Sequence, residues 1–407
     1  MTMSLRQYFS LRADTVAIPA LDGLRGIAIL MVVAYHGTEA FAPTGAGLLP
    51  VGPWDLATPI YSGWMGVNLF FVLSGFLITY HLLRRWTRVP DGAGLRTYLV
   101  KRWLRIVPTY YVVLAIAAAG VVPHHPIDTN LLSLQVAWHA LFLQDYLPSS
   151  ILGPFWSLGV EEKFYLAMPV VLLVAWKAGR VGRVSLVGLF AFLAAVPVMV
   201  RVGMYAVSGP SQAGHFLRDW RNPFHLNLDA LFLGAICAWL YLQRDRLPLL
   251  REPRTASAAT WTGVGLVAVL MIPAGALGGG NFFHDVALFP FTALGMALVL
   301  LGAVLAPPGT RAMLESRWLG RAGRIAYPWY LTHILALHWL LGELGPGLTP
   351  GGTEGRAIRY FAFFAAYLTV SVVVALVLHF AVEKPCLILK DRLGERRIPV
   401  HAATGTA

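Results

Sequence analysis

Ten apolar stretches, each close to the ~20 residues needed to cross ~30 Å of hydrocarbon, set what this chain can be. They fall near 24–41, 61–82, 107–122, 156–176, 184–206, 224–243, 257–277, 286–306, 325–342 and 360–382. Lipid offers no partner for backbone N–H and C=O groups, so runs of this length read as helices. Composition agrees, with 57% of 407 residues apolar and 13% charged, against ~25% charged in a soluble domain. The fold class is therefore all-α, a polytopic membrane protein with about ten transmembrane helices. The stretch LSLQVAWHALFLQD is too short and polar to span, and reads as interfacial or re-entrant.

The basic residues set the orientation. The segment after the second stretch holds Arg84, Arg85, Arg88, Arg96, Lys101, Arg102 and Arg105, and Arg-rich loops recur at 177–183, 244–254 and 307–324. The alternate loops 42–60, 123–135 and 278–285 carry no Lys or Arg, while 207–223 and 343–359 carry two each. This alternation predicts both termini in the cytoplasm. It also disposes of nucleic acid as the reason for the net charge of +12. Residues 1–407 form a single membrane domain with a cytoplasmic tail from about 383, and the N-terminus has no apolar core of a cleaved signal peptide. Cys237 in an apolar run and Cys386 in the tail make no disulfide framework. Arginine far exceeds lysine, which suits a GC-rich bacterial gene and a bacterial inner membrane.

The polar exceptions carry the chemistry. In LDGLRGIAILMVVAYHG, Arg25 and His36 stand eleven residues apart, which returns to within ~20° of one helix face and separates them by ~16 Å. Intramembrane ionisable groups cost several kcal/mol and face a bundle interior or wet cavity. An imidazole there is a candidate base, because histidine titrates near neutrality. The bland alternative is a hydrogen-bonded histidine and a snorkelling arginine. In FWSLGVEEKFYLAMP, Trp156 suits an interfacial anchor. Glu161 and Glu162 follow within two turns, at the end where His36 lies, so one carboxylate can approach the imidazole. Otherwise one pairs with Lys163 or Arg201 and the other meets water.

Asn68, Ser74 and Gly75 interrupt the second stretch, where small residues also serve helix packing. Asp229 and His333 are further ionisable residues inside apolar stretches, and Glu383 beside Lys384 reads as structural. Arg102 and Arg105, three apart on one helical face, make a phosphate clamp or simply extend the positive-inside bias. The same intramembrane His, Glu and Asp would suit a proton-coupled transporter, against which stands the lack of a detectable repeat.

Together these stretches resemble the acyltransferase family 3 membrane proteins, bacterial O-acyltransferases that include macrolide and exopolysaccharide acylases. DGLRGIAILMVVAYH resembles the first-helix signature, GVNLFFVLSGFLIT the second-helix motif and KRWLRIVP the basic cytoplasmic motif. FWSLGVEEKFYLAMP, GRIAYPWYLTH and VEKP resemble later motifs, in order along nearly the whole chain. Asn68 stands where the family often has aspartate, Gly159 and Lys163 replace a common serine and glutamine, and Thr332 stands where tryptophan is common.

The resemblance implies transfer of a short acyl group from acyl-CoA to a hydroxyl of a sugar, glycan or macrolide-type glycoside. His36 is then the base, with Glu161 or Glu162 orienting it. Arg25, Arg102 and Arg105 hold acyl-CoA, a co-substrate rather than a tightly bound cofactor. Asn68, Ser74, Trp156, Tyr165, Asp229 and His333 are the substrate-binding candidates. CoA thiolate is a good leaving group, so no metal is required, and the Cys/His spacing shows no zinc pattern. The lipid bilayer is the remaining partner; nothing in the sequence speaks to oligomeric state.

Overall fold

The computed structural model describes residues 8–9, 11, 18–43, 47–52, 54–85, 92–147, 149–177, 183–212, 216–276, 280–307, 309–344 and 355–395. Arg88, Arg180, Arg396 and Arg397 of the basic segments lie outside them.

A helix occupies each of the ten apolar stretches. These are α1 (Ala20–Phe41), α2 (Gly66–Arg85), α3 (Gly92–Ala118), α5 (Trp156–Lys177), α6 (Arg183–Ser208), α7 (Leu228–Gln243), α8 (Pro253–Ala276), α9 (Leu288–Leu305), α11 (Ala326–Leu344) and α12 (Arg356–Leu378). Shorter helices among the described residues include α4 (Leu132–Ala140), α10 (Arg317–Arg324) and α13 (Lys384–Glu395), besides a single turn at Thr58–Tyr61. The chain is thus an all-α, multi-pass membrane protein, with one two-residue ribbon, Pro50–Val51 paired to Trp54–Asp55. The Asp55 carboxylate closes that ribbon by accepting from the amides of Leu48, Leu49 and Ala57.

Among the described residues, six helical segments are long and apolar enough to cross a membrane by length and composition: Ala20–Phe41, Gly63–Arg84, Leu186–Ser208, Pro253–Ile272, Phe283–Leu305 and Arg356–Arg392. Those outside this set include α3, α5 and α11, which carry Arg102 and Arg105, Glu161 and Glu162, and His333, while Arg25 and His36 lie on α1 within it. Two boundaries differ from the sequence reading. The helix of the stretch 107–122 starts well before it, so that the basic residues from Arg96 to Arg105 form the first half of α3, which runs on through Pro108. Likewise α12 does not stop at the membrane surface, because a π-type turn at His379–Glu383 carries it into α13.

Burial sorts the helices into centre and rim. The α2 segment has 78% of its apolar window buried, against 22% for α6 and for α8. Accordingly α6 exposes Phe192, Met199 and Val207, apolar side chains suited to lipid tails. Close approach at the centre depends on glycine. A Cβ on Gly75 would overlap the Leu231 carbonyl, and one on Gly234 the Val72 carbonyl, so α2 and α7 cross nearly backbone to backbone. At the other end of α1, Gly23 and Gly26 flank Arg25 and admit the Leu314 and Leu319 carbonyls, seating the segment that leads into α10. That seat places Arg324 beside the start of α1.

Candidate active site

A cavity of about 110 Å³ opens among α1, α2, α3, α5, α10 and α11. One end is strongly basic, lined by Arg25, Arg102, Arg105 and Arg324, with Glu383 among them. Its other end is lined by Val67, Phe70, Ser157 and Tyr330, which lie deeper along their helices. Arg25 is held by Asp22, its Nη1 donating to Oδ1 at 2.9 Å, and Arg324 reaches the same carboxylate from α10 at 3.4 Å. Asp22 therefore fixes two of the four cations, a role the sequence did not single out.

Glu161 faces this cavity. The Tyr165 hydroxyl donates to Glu161 Oε2 at 3.0 Å, and the Arg102 guanidinium lies over the Tyr165 ring at 4.7 Å. Ser74 lines the same wall. Glu162, about 100° further round the helix, does not line the cavity, and its Oε1 is buried without a hydrogen-bond partner among the described residues.

His36 lies elsewhere. Its Nδ1 is 2.9 Å from the Val32 carbonyl, one turn back on α1, and 3.3 Å from Nε2 of His333. His333 in turn sets its Nδ1 2.7 Å from the Tyr330 carbonyl. These contacts fix the protons. A carbonyl only accepts, so Nδ1 carries hydrogen in both rings. His333 Nε2 is then a lone pair that shares the His36 Nδ1–H with the nearer Val32 carbonyl. The same tautomer leaves Nε2 of His36 as a lone pair with no protein partner among the described residues, which is the form a base needs.

Three expectations from the sequence are corrected by this geometry. Among the described residues neither Glu161 nor Glu162 contacts His36; the orienting group is the His333 imidazole. The carboxylates are turned away because α5 begins beside Tyr330, where Ser157 and the Tyr330 hydroxyl lie 2.6 Å apart, so Glu161 one turn on falls level with the arginines. Second, Arg25 lines the cavity and His36 does not, although both lie on α1; Tyr330 and Phe70 line its inner end. Third, Trp156 is no headgroup anchor: it is buried, edge-on to Phe71, with the Arg221 guanidinium 5.4 Å above its ring.

The remaining candidates divide. Asp229 is locked in a buried pair, accepting from Arg201 Nη1 at 3.2 Å and from the Ala230 amide, while Arg201 also donates to the Leu226 carbonyl. That pairing also removes Arg201 as a partner for the glutamates. Lys163 is likewise taken, its ammonium 2.5 Å from Asp145. Burial pushes the Asp145 carboxyl up, and the Lys163 ammonium pulls it back. Asn68 is buried in α2 away from the cavity lining. Glu383 does line the cavity, and its carboxylate is 2.6 Å from His379 Nδ1, one turn back. Arg221 and Tyr330 were not singled out at all. No local pattern marks them, since their roles arise from packing between distant segments.

The acyltransferase domain family matches residues 18–380, nearly the whole chain. The chain belongs to this acyltransferase family. Its relatives include the peptidoglycan O-acetyltransferase OatA of Listeria monocytogenes, 33% identical over 173 residues, which are 39% of this acyltransferase and 25% of that protein. A putative O-acetyltransferase of Staphylococcus aureus is 26% identical over 55% of this acyltransferase and 35% of its own length. A putative peptidoglycan O-acetyltransferase of Bacillus subtilis is 28% identical over 57% and 35%. The matched stretches thus span from a quarter to about a third of these relatives. No solved structure matches the acyltransferase significantly.

Proposed function

We propose that this acyltransferase moves a short acyl group from acyl-CoA to a hydroxyl of a sugar, glycan or macrolide-type glycoside, with His36 as general base. The observation that carries the reading is the proton arrangement of the His36–His333 pair, which leaves Nε2 of His36 as an unshared lone pair. The acceptor hydroxyl gives its proton to that nitrogen as its oxygen attacks the thioester carbonyl. The carbon–sulfur bond then breaks, CoA leaves as thiolate, and the imidazolium returns the proton. His333 steadies the charged ring by accepting from its Nδ1–H.

The donor binds from the basic end. Arg25, Arg102, Arg105 and Arg324 suit phosphate groups, and guanidinium forks bind phosphate bidentately. The acyl group approaches His36 past Tyr330 and Phe70. In this reading ten helices cross the membrane, both termini are cytoplasmic and the location is the bacterial inner membrane. The names of two relatives, a peptidoglycan O-acetyltransferase and a putative one, favour a peptidoglycan-type glycan as acceptor.

The test is release of CoA by purified protein supplied with acyl-CoA and a hydroxyl acceptor. His36→Ala should abolish acceptor-dependent release while purification and melting stay close to wild type. Wild-type turnover in that variant would falsify the assignment.

A further inference from the structure

Arg221 is a cation without a counter-charge. It ends the π-type turn Phe216–Arg221, where the chain from α6 approaches α7. Its guanidinium lies 4.6 Å from the centre of the Trp64 ring and 5.4 Å from that of Trp156. Among the described residues no carboxylate and no side-chain acceptor pairs with it. The nearest ring faces are those of Trp64 and Trp156, which bring no negative charge. Arg221, Trp64, Tyr35 and His36 all keep part of their surface open, unlike the fully buried Arg201, whose carboxylate partner is in place. A guanidinium lifted from bulk water normally finds an anion or a set of oxygens. Here the protein supplies two indole rings instead, which attract the cation while its N–H donors make no hydrogen bond among the described residues.

This cation sits at the opposite end of the bundle from the donor arginines. Trp64 immediately precedes α2 and Trp156 opens α5, whereas Arg102, Arg105 and Arg324 lie where α2 and α5 have run towards their other ends. The acceptor must reach Nε2 of His36 from a side the donor does not fill. We infer that Arg221 is the acceptor anchor of this site, and that it selects acceptors bearing an anionic group, such as an acidic sugar, over their neutral counterparts. Trp64 and Trp156 position Arg221, and its N–H donors pair with the acceptor's carboxylate or phosphate beside the base. The inference rests on His36 being the base of an acyl transfer.

The experiment compares methyl glucuronide with methyl glucoside as acceptors for the purified full chain, reading CoA release, and measures binding of each sugar by quenching of intrinsic tryptophan fluorescence. The wild type should favour the glucuronide about tenfold in kcat/KM. Arg221→Gln should reduce that ratio to near one by raising KM for the glucuronide, and Arg221→Lys should keep part of it. The KM for acyl-CoA should stay put in both variants. Equal use or equal binding of the two sugars by the wild type, binding of neither, or a preference that survives Arg221→Gln, overturns the anchor. A fall in kcat shared equally by both sugars also overturns it, because that places Arg221 on the tetrahedral oxyanion. If no hydroxyl acceptor stimulates CoA release by the wild type, the acyl-transfer reading itself fails.

Discussion

His333 offers Nε2 to Nδ1 of His36 at 3.3 Å, and the Tyr330 carbonyl occupies its other nitrogen. This second imidazole stands where hydrolytic triads place a carboxylate. Together with the Val32 carbonyl, which sets the tautomer, it orients the His36 ring without adding charge, in a setting where a buried anion would cost several kcal/mol. His333→Ala should therefore lower kcat by ~10–100-fold and leave KM for acyl-CoA within about twofold, because the ring acts through His36 and touches no donor phosphate. Steady-state kinetics against acyl-CoA decide it. A changed donor KM at constant kcat would move His333 to the binding site.

Arg102 combines charge with stacking, since its guanidinium covers the Tyr165 ring and that residue's hydroxyl donates to Glu161. Lysine keeps the charge but loses the planar fork and the stack. Arg102→Lys should raise KM for acyl-CoA about tenfold, equivalent to ~1.4 kcal/mol, with kcat little altered. The same variant should show a stronger dependence of KM on salt, because a lone ammonium in a wet cavity is screened more readily. A loss of kcat without a rise in KM contradicts the donor assignment.

Helix positions and the Arg25–His36 stripe were legible in the sequence because apolar length and the 3.6-residue period are local properties. The start of α3 was placed too late because apolar length alone set the boundary at 107, yet the basic residues before Pro108 continue its helical register. The partner of His36 was misread for a different reason. Glu161 and His333 lie in apolar helices of similar outward character, and only the angle at which α5 and α11 meet α1 decides which reaches the imidazole. Asp229 shows the same limit: a buried carboxylate signals function or a buried guanidinium equally, and Arg201 lies 28 residues away. Arg221 was invisible because two tryptophans from separate helices define its role.

The Arg201–Asp229 pair is structural, and it should behave as one. Asp229→Ala leaves a guanidinium uncompensated in the interior and should destabilise the protein by ~3–5 kcal/mol. The double replacement Arg201→Met with Asp229→Leu should recover most of the melting temperature, since two apolar side chains remove both charges from the core. Thermal melting in detergent measures the stability, and acceptor kinetics of the double variant measure the site. A melting temperature restored together with a large change in acceptor KM would return Asp229 to substrate binding.

His139 gives the fold a pH limit outside the spanning helices. It sits in α4, fully buried, with Nε2 2.8 Å from the Ser149 hydroxyl and Nδ1 3.1 Å from that of Tyr110. The Ser149 hydroxyl donates to Gln135, so it accepts from Nε2–H, and Nδ1 shares the Tyr110 hydroxyl proton with the His139 carbonyl, 3.0 Å from that hydroxyl. The neutral ring thus has a partner at each nitrogen, and burial holds its pKa down at about 4. A histidine depressed on folding contributes stability that is complete above its unfolded pKa of ~6.5 and is lost as pH falls towards the folded value. Between neutrality and pH 4 the loss is about 3 kcal/mol. Melting temperatures at pH 7.5 and pH 5 should separate in the wild type and draw together in His139→Gln, which cannot titrate. The same acid-induced shift in both proteins would assign the sensitivity to other groups.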